Sequence, residues 1–134
     1  MYKPSLIAGT IFAMTAVILG AFGAHYLKTI CTPEILTSFE TGVKYQFYHA
    51  FALIALGMYA RFSSNSVKWI YRLLTIGTLF FSGSIYALCY FKGTMQIGLG
   101  GIGIITPIGG VIMIAGWAMW LINIMKLKNN VCRK

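Results

Sequence analysis

Four long apolar runs, with basic residues at their ends, constrain this chain more than any motif in it. The runs cover about residues 4–24, 47–59, 69–91 and 106–125. A helix crosses a membrane with about 20 apolar residues, each adding 1.5 Å. The first, third and fourth runs meet that length alone. The second meets it when its helical pattern is followed back to Thr41. Composition agrees: 58% of the 134 residues are hydrophobic, 10% are charged, and mean hydropathy is +0.77, whereas a soluble domain carries about 25% charged residues. The expected fold is all-α, an integral membrane four-helix bundle in one domain over 1–134. Its helices are expected at about 4–25, 33–62, 66–91 and 106–126.

The net charge of +9 does not point to nucleic acid. The basic residues do not line one polar face; they close the apolar runs. Lys3 precedes the first run, Arg61, Lys68 and Arg72 surround the middle loop, and Lys126, Lys128, Arg133 and Lys134 follow the last. These eight face three on the other connections, Lys28, Lys44 and Lys92. Basic residues stay on the cytoplasmic side, so both termini are expected in the cytoplasm.

The first run is read as a retained helix rather than a cleaved signal, because it is longer than a signal core. It also carries a stripe of small residues, Gly9, Ala13, Ala16, Gly20 and Ala24, that lets a second helix approach closely. Gly23, Gly83, Gly109, Gly110 and Gly116 are expected to serve helix packing in the same way. Thr32-Pro33-Glu34 reads as a helix start, with Thr32 capping and Pro33 at the first helical position. From there a helix to residue 62 would be about 45 Å long, too long to stand upright. Its first turns are therefore expected at the outer surface, with Ile35, Leu36, Phe39 and Val43 facing lipid or protein. Ser63-Ser64-Asn65-Ser66 makes a short loop that caps the third helix. The glycine-rich stretch over 93–105 either tucks into the outer leaflet or continues the fourth helix.

Three cysteines, Cys31, Cys89 and Cys132, include no CxxC spacing, and the odd count speaks against a disulfide framework. Cys31 and Cys89 both fall near the outer surface. Two readings stand: one bridge, or two ordinary apolar fillers. GLGGIG, Gly98 to Gly103, matches the letters of a dinucleotide fingerprint. It lacks the strand, the crossover and the acidic residue that make such a loop work, and the chain contains no Asp. There is no HExxH, no P-loop and no carboxylate pair. Glu40 precedes Lys44 by four residues and reads as a helical ion pair.

The two histidines are the remaining candidates for chemistry. Measured by helix rise, His25 lies about 33 Å from the cytoplasmic end of its helix and His49 about 18 Å from its own. Thr15, Ser82 and Tyr86 lie at about 18, 15 and 21 Å. One polar layer is therefore expected around His49 with Thr15, Ser82 and Tyr86, and with Gln46 as the partner of His49 one turn away. A second is expected near the outer surface, with His25, Glu40, Lys44, Thr106 and Lys92. Interhelical hydrogen bonding accounts for such groups; an ionisable group in a membrane also marks a path or site. Trp117 is expected inside the bundle and Trp120 nearer the cytoplasmic interface.

GAFGAH, FETGVKYQFYHAFALI, FSGSIY and GIITPIGGVIMIAGW, in this order over nearly the whole chain, resemble the YgdD-like family of small bacterial inner-membrane proteins. The mitochondrial transmembrane protein 256 of animals is similar. The resemblance implies a four-helix integral membrane protein and no assigned activity, so it brings no catalytic residues. The Gly98–Gly103 stretch is longer and more apolar than is usual for that family.

These readings lead to a small, multi-pass protein of a bacterial inner membrane, without catalytic constellation or cofactor. The expected role is structural, lipid-binding or partner-binding. Membrane lipids, a second copy or another membrane protein are the expected partners, and nucleic acid is not. A small oligomeric transporter or proton-linked component with His49, Gln46 and Tyr86 along a polar path is the alternative. A haem or metal redox protein using His25 and His49 comes third, because the two histidines differ in depth.

Overall fold

Apolar runs bounded by proline, glycine and charge become four helices in the computed structural model, which describes residues 1–63, 66–95 and 102–131. Helix α1 is Lys3–Ile30. It is α-helical over Lys3–Phe22, passes through a π-helical turn at Gly23–Leu27 and resumes at Lys28–Ile30. Helices α2, Pro33–Tyr59, α3, Lys68–Met95, and α4, Ile105–Val131, follow, with a 3₁₀ turn at Ile102–Ile104 leading into α4. No strand occurs among the described residues. The loop residues Ser64 and Asn65, residues 96–101 of the glycine-rich stretch, and Cys132 to Lys134 lie outside the described residues.

The helices extend beyond several of the expected ends. α1 runs on past residue 25 because its π-helical turn absorbs Gly23 to Leu27 without breaking the backbone bonding. α3 and α4 extend to Met95 and Val131. At the start of α2, Pro33 takes the first helical position, but Thr32 makes no side-chain cap. The cap at α3 is made by Ser66, whose Oγ accepts from the Lys68 backbone N–H at 3.4 Å.

Three helices, Lys3–Ile30, Lys68–Lys92 and Ile105–Leu127, are long and apolar enough to cross a membrane. α2 carries Glu34, Glu40, Lys44, Gln46 and His49 and does not qualify by itself. It sits centrally instead: α1 packs along α2, α2 along α3, and α3 along α4. The bundle is inverted relative to a soluble protein. Ile7, Ile11, Met14 and Ile18 of α1 and Ile108, Val111 and Ile114 of α4 are exposed, while Ser5, Thr78 and Ser82 are buried. Lipid is as apolar as leucine, so large side chains lose nothing by facing it. The interior combines an apolar cluster around Leu53, Leu56, Ile70 and Leu74 with small and polar groups.

Two crossings set the spacing. A Cβ at Gly9 would lie 2.7 Å from the Ala50 carbonyl oxygen, and one at Gly109 would lie 2.5 Å from the Phe81 nitrogen and 2.9 Å from the Gly77 oxygen. Both obstructions are backbone, which cannot swing aside. Ala16 is buried and Ala13 half-buried, so most of the small stripe does face α2, whereas Ala24 is exposed. Gly20 and Gly110 sit at ordinary contact distance from Val43 and Phe81, Gly23 lies under the Phe39 ring, and Gly116 lies against Leu74. Gly83 is different. It has nothing within 4 Å of its Cβ position and is exposed. It stands one residue, about 100° of helix rotation, beyond Ser82, which turns inward.

Gly9→Val and Gly109→Val are each expected to destabilise the bundle by about 1–3 kcal/mol through overpacking, while Gly83→Ala does not lower stability. Thermal unfolding in detergent checks this. A Gly109→Val protein as stable as the parent would remove backbone contact as the determinant of the α3–α4 spacing.

Candidate functional site

The polar side chains singled out in the sequence gather into separate clusters rather than two layers. The first joins α1, α2 and α3. Gln46, 7% exposed, donates from Nε2 to the Phe12 carbonyl at 3.0 Å and to Thr15 Oγ1 at 2.7 Å. Its Oε1 accepts the Tyr86 hydroxyl at 2.9 Å. Thr15 passes its own proton back to the Ile11 carbonyl at 2.8 Å. Close by, Ser82 donates to the Gly42 carbonyl at 2.8 Å. Gly42 lets this seam close, since a Cβ there would lie 2.9 Å from the Tyr86 ring. Beside the cluster lies a cavity of about 300 Å³ lined by Thr15, Gln46, Ser82, Gly83 and Tyr86 among apolar neighbours.

His49 belongs to a second cluster, between α2 and α4. Its Nδ1 lies 2.8 Å from the Tyr45 carbonyl oxygen, and the Trp117 indole N–H donates to its Nε2 at 3.2 Å. A carbonyl only accepts and an indole N–H only donates. The tautomer is therefore fixed, with Nδ1 carrying the proton and Nε2 the lone pair. The expected His49–Gln46 partnership does not form. The two residues are three apart, about 60° around the helix, and Gln46 turns to α1 and α3 while His49 turns to α4.

Trp117 does not take the inside position expected of it, and Trp120, three residues further along α4, does. Trp120 is 8% exposed and packs among Leu53, Leu56 and Leu74, whereas Trp117 is 47% exposed. Gly109, Met113, Gly116 and Trp120 form the buried stripe of α4, at spacings of four, three and four, and Trp117 lies at its margin. The two indoles stack with centroids 5.3 Å apart. Trp120 Nε1 and Thr75 Oγ1 are buried without a hydrogen-bond partner among the described residues.

The outer layer is not assembled. His25, Glu40, Lys44 and Lys92 are exposed. Among the described residues Glu40 and Lys44 pair with each other, at 3.9 Å. Thr106 bonds to Ser84 at 2.7 Å, tying the start of α4 to α3. His25 lies in the π-helical turn, and the expected layer rests on depth alone, which does not set which way a side chain faces. Ile35, Leu36 and Val43 are half-buried and Phe39 is buried, so this face of α2 meets protein. Among the described residues no group of three or more His, Cys, Asp or Glu is placed to hold a metal.

Several partners escape the sequence reading. Ser5 donates to the Leu53 carbonyl at 2.7 Å, and the Asn123 side-chain oxygen accepts both Tyr59 and Ser63 at 2.9 Å. Ser5 and Asn123 lie inside the first and fourth apolar runs near their basic ends, outside the depths of the two histidines around which the polar layers are drawn.

Residues 19–110 match the family described as Protein of unknown function (DUF423). The chain belongs to the DUF423 family. It is also 42% identical over 125 residues to a UPF0382 membrane protein of Staphylococcus saprophyticus, covering 93% of this chain and 99% of the relative. A UPF0382 membrane protein of Staphylococcus haemolyticus is 40% identical, and one of Staphylococcus aureus strain RF122 is 41% identical, each over 92% of this chain and 97% of the relative. No solved structure matches the chain. The family resemblance read from the four sequence blocks holds at this level: this DUF423 protein is a small, multi-pass, helical membrane protein. The matched segment contains Gln46, His49, Ser82, Tyr86 and Thr106 and ends before Trp117.

Within this DUF423 protein, Tyr86→Phe is expected to lose about 0.6–1.7 kcal/mol, the range of single hydrogen bonds in membranes. Gln46→Leu is expected to lose more, since it removes the bonds to Phe12, Thr15 and Tyr86 together and leaves the Tyr86 hydroxyl without its acceptor. A double-mutant cycle read by SDS unfolding measures the Gln46–Tyr86 coupling, and additive losses would show that the two side chains do not bond.

Proposed function

We propose that this DUF423 protein performs no chemistry of its own and acts through its lipid-facing surface, as a structural or binding element of the membrane. Membrane lipids, a second copy or another membrane protein are its partners. In this reading both termini face the cytoplasm of a bacterium. The distribution of Lys and Arg, eight at the terminus-bearing end against three at the other, supports that orientation.

One observation carries the reading: both ring nitrogens of His49 are committed, one to a carbonyl and one to an indole N–H. No lone pair is left for a metal or a haem iron, and a second proton would have to displace Trp117. Gln46 is likewise engaged at both ends of its amide. Groups held this way tie helices together and do not form a relay. The transport alternative needs a polar path with free donors and acceptors, and the redox alternative needs open ligands.

Reconstituted into liposomes, the wild-type protein and His49→Ala are expected to show the same permeability to protons, sodium and potassium. A wild-type flux abolished by His49→Ala would overturn the proposal. A fluorescent protein fused to the C-terminus is expected to fold and fluoresce only on the cytoplasmic side; a dark fusion, with an active periplasmic reporter at the same position, would reverse the orientation.

A further inference from the structure

The end of the bundle opposite the chain termini holds two thiols that the polar clusters do not use. Cys31 is half-buried at the bend between α1 and α2, in extended backbone at φ −106° and ψ 154°. Cys89 is 7% exposed on α3, and its Sγ donates to the Ile35 carbonyl at 3.5 Å. Both are free thiols in this structure. They line one cavity of about 360 Å³, walled by Phe22, Tyr26, Phe39 and Tyr90. Both thiols lie on the wall of this same cavity, Cys31 from the bend after α1 and Cys89 from α3.

The place also has a structural use for a bond. α1 packs along α2 and α2 along α3, whereas α1 and α3 form no comparable helix pair. At this end Leu19 and Leu27 of α1 pack against the cluster of Phe39, Ile85 and Cys89, and the cavity lies beside that cluster. A covalent link from Cys31 to Cys89 would join α1 and α3 directly.

We propose that Cys31 and Cys89 form a reversible intramolecular disulfide that fastens the end of α1 to α3. The oxidant is a low-molecular-weight disulfide. Cys31, the more accessible, attacks it as the thiolate, forming a mixed disulfide and releasing one small thiol. Cys89, sheltered in the cavity, then displaces the second small thiol. Two protein thiols are oxidised to one bridge, the small disulfide is reduced to two thiols, and the two protons end on those thiols. In the orientation proposed above, this end faces the oxidising side, where such bridges persist. The bond itself depends on the juxtaposition and not on that orientation, so the test below stands whichever way the protein is inserted.

The test uses the full chain carrying Cys132→Ser, purified in detergent and equilibrated with mixtures of reduced and oxidised glutathione. Samples are quenched in acid, unfolded in SDS, treated with N-ethylmaleimide and weighed intact. In oxidising mixtures the expected product is a monomer about 2 Da lighter than the dithiol that takes up no maleimide, and reduction restores two reactive thiols. Two maleimide adducts in every mixture, stable glutathione adducts, or a bridge found only between two chains would overturn the proposal. The bridged form is also expected to melt roughly 5 °C or more above the reduced form. Cys31→Ser is expected to melt at one temperature in all mixtures. Equal melting temperatures for bridged and reduced protein would overturn the fastening of α1 to α3.

Discussion

Backbone packed against backbone spaces the helices of this bundle, and the polar contacts depend on it. Gly9 brings α1 onto the Ala50 carbonyl of α2, and Gly109 brings α4 onto Gly77 and Phe81 of α3. Side chains as short as serine can then reach across. Ser5 bonds to the Leu53 carbonyl of α2 only because α1 lies that close. Gln46 reaches the Phe12 carbonyl and Thr15 on the same seam. Apolar side chains gain little by leaving lipid for protein, so close packing and interhelical hydrogen bonds hold such helices together. Here the first makes the second possible.

The same economy decides what the polar residues are for. A polar group in hydrocarbon costs several kcal/mol unless it is bonded. Each of the buried groups Gln46, His49, Thr78, Ser82 and Ser84 has a partner. His49 shows how complete the pairing is, since its two neighbours allow only one tautomer. That arrangement makes the histidine a good fastener and a poor shuttle.

The sequence made some of this visible and hid the rest for physical reasons. Helix number follows from apolar length, and the facing of Gly9, Ala13 and Ala16 follows from their spacing, because both depend only on helix geometry. The grouping of Thr15 with Tyr86 follows from depth alone. Depth does not give azimuth, so Gln46 and His49, one turn apart on α2, were assigned to each other although they face different helices. The exposure of Trp117 and the burial of Trp120 have the same origin: three residues along α4 separate the buried stripe from its margin. The layer around His25 fails for the same reason: His25, Glu40, Lys44 and Lys92 come from three helices, and equal depth does not turn them towards one another. The partners Ser5 and Asn123 lie where neither apolar length nor depth singles out a residue.

α2 shows why these four helices make one unit. It is the helix that is not apolar enough to cross a membrane by its own composition. Its acidic residues lie towards one end, its buried polar residues lie further along, and its neighbours satisfy the latter: Phe12, Thr15 and Tyr86 for Gln46, and Trp117 for His49. Removing any neighbour would leave an amide or an imidazole facing hydrocarbon. A helix of this kind is stable in lipid only inside its partners, so α2 and the three apolar helices around it depend on one another. The short turn at Cys31 and Thr32 places α1 beside α2 at once. Where α2 places a polar side chain against a neighbouring helix, that helix supplies the bonding partner.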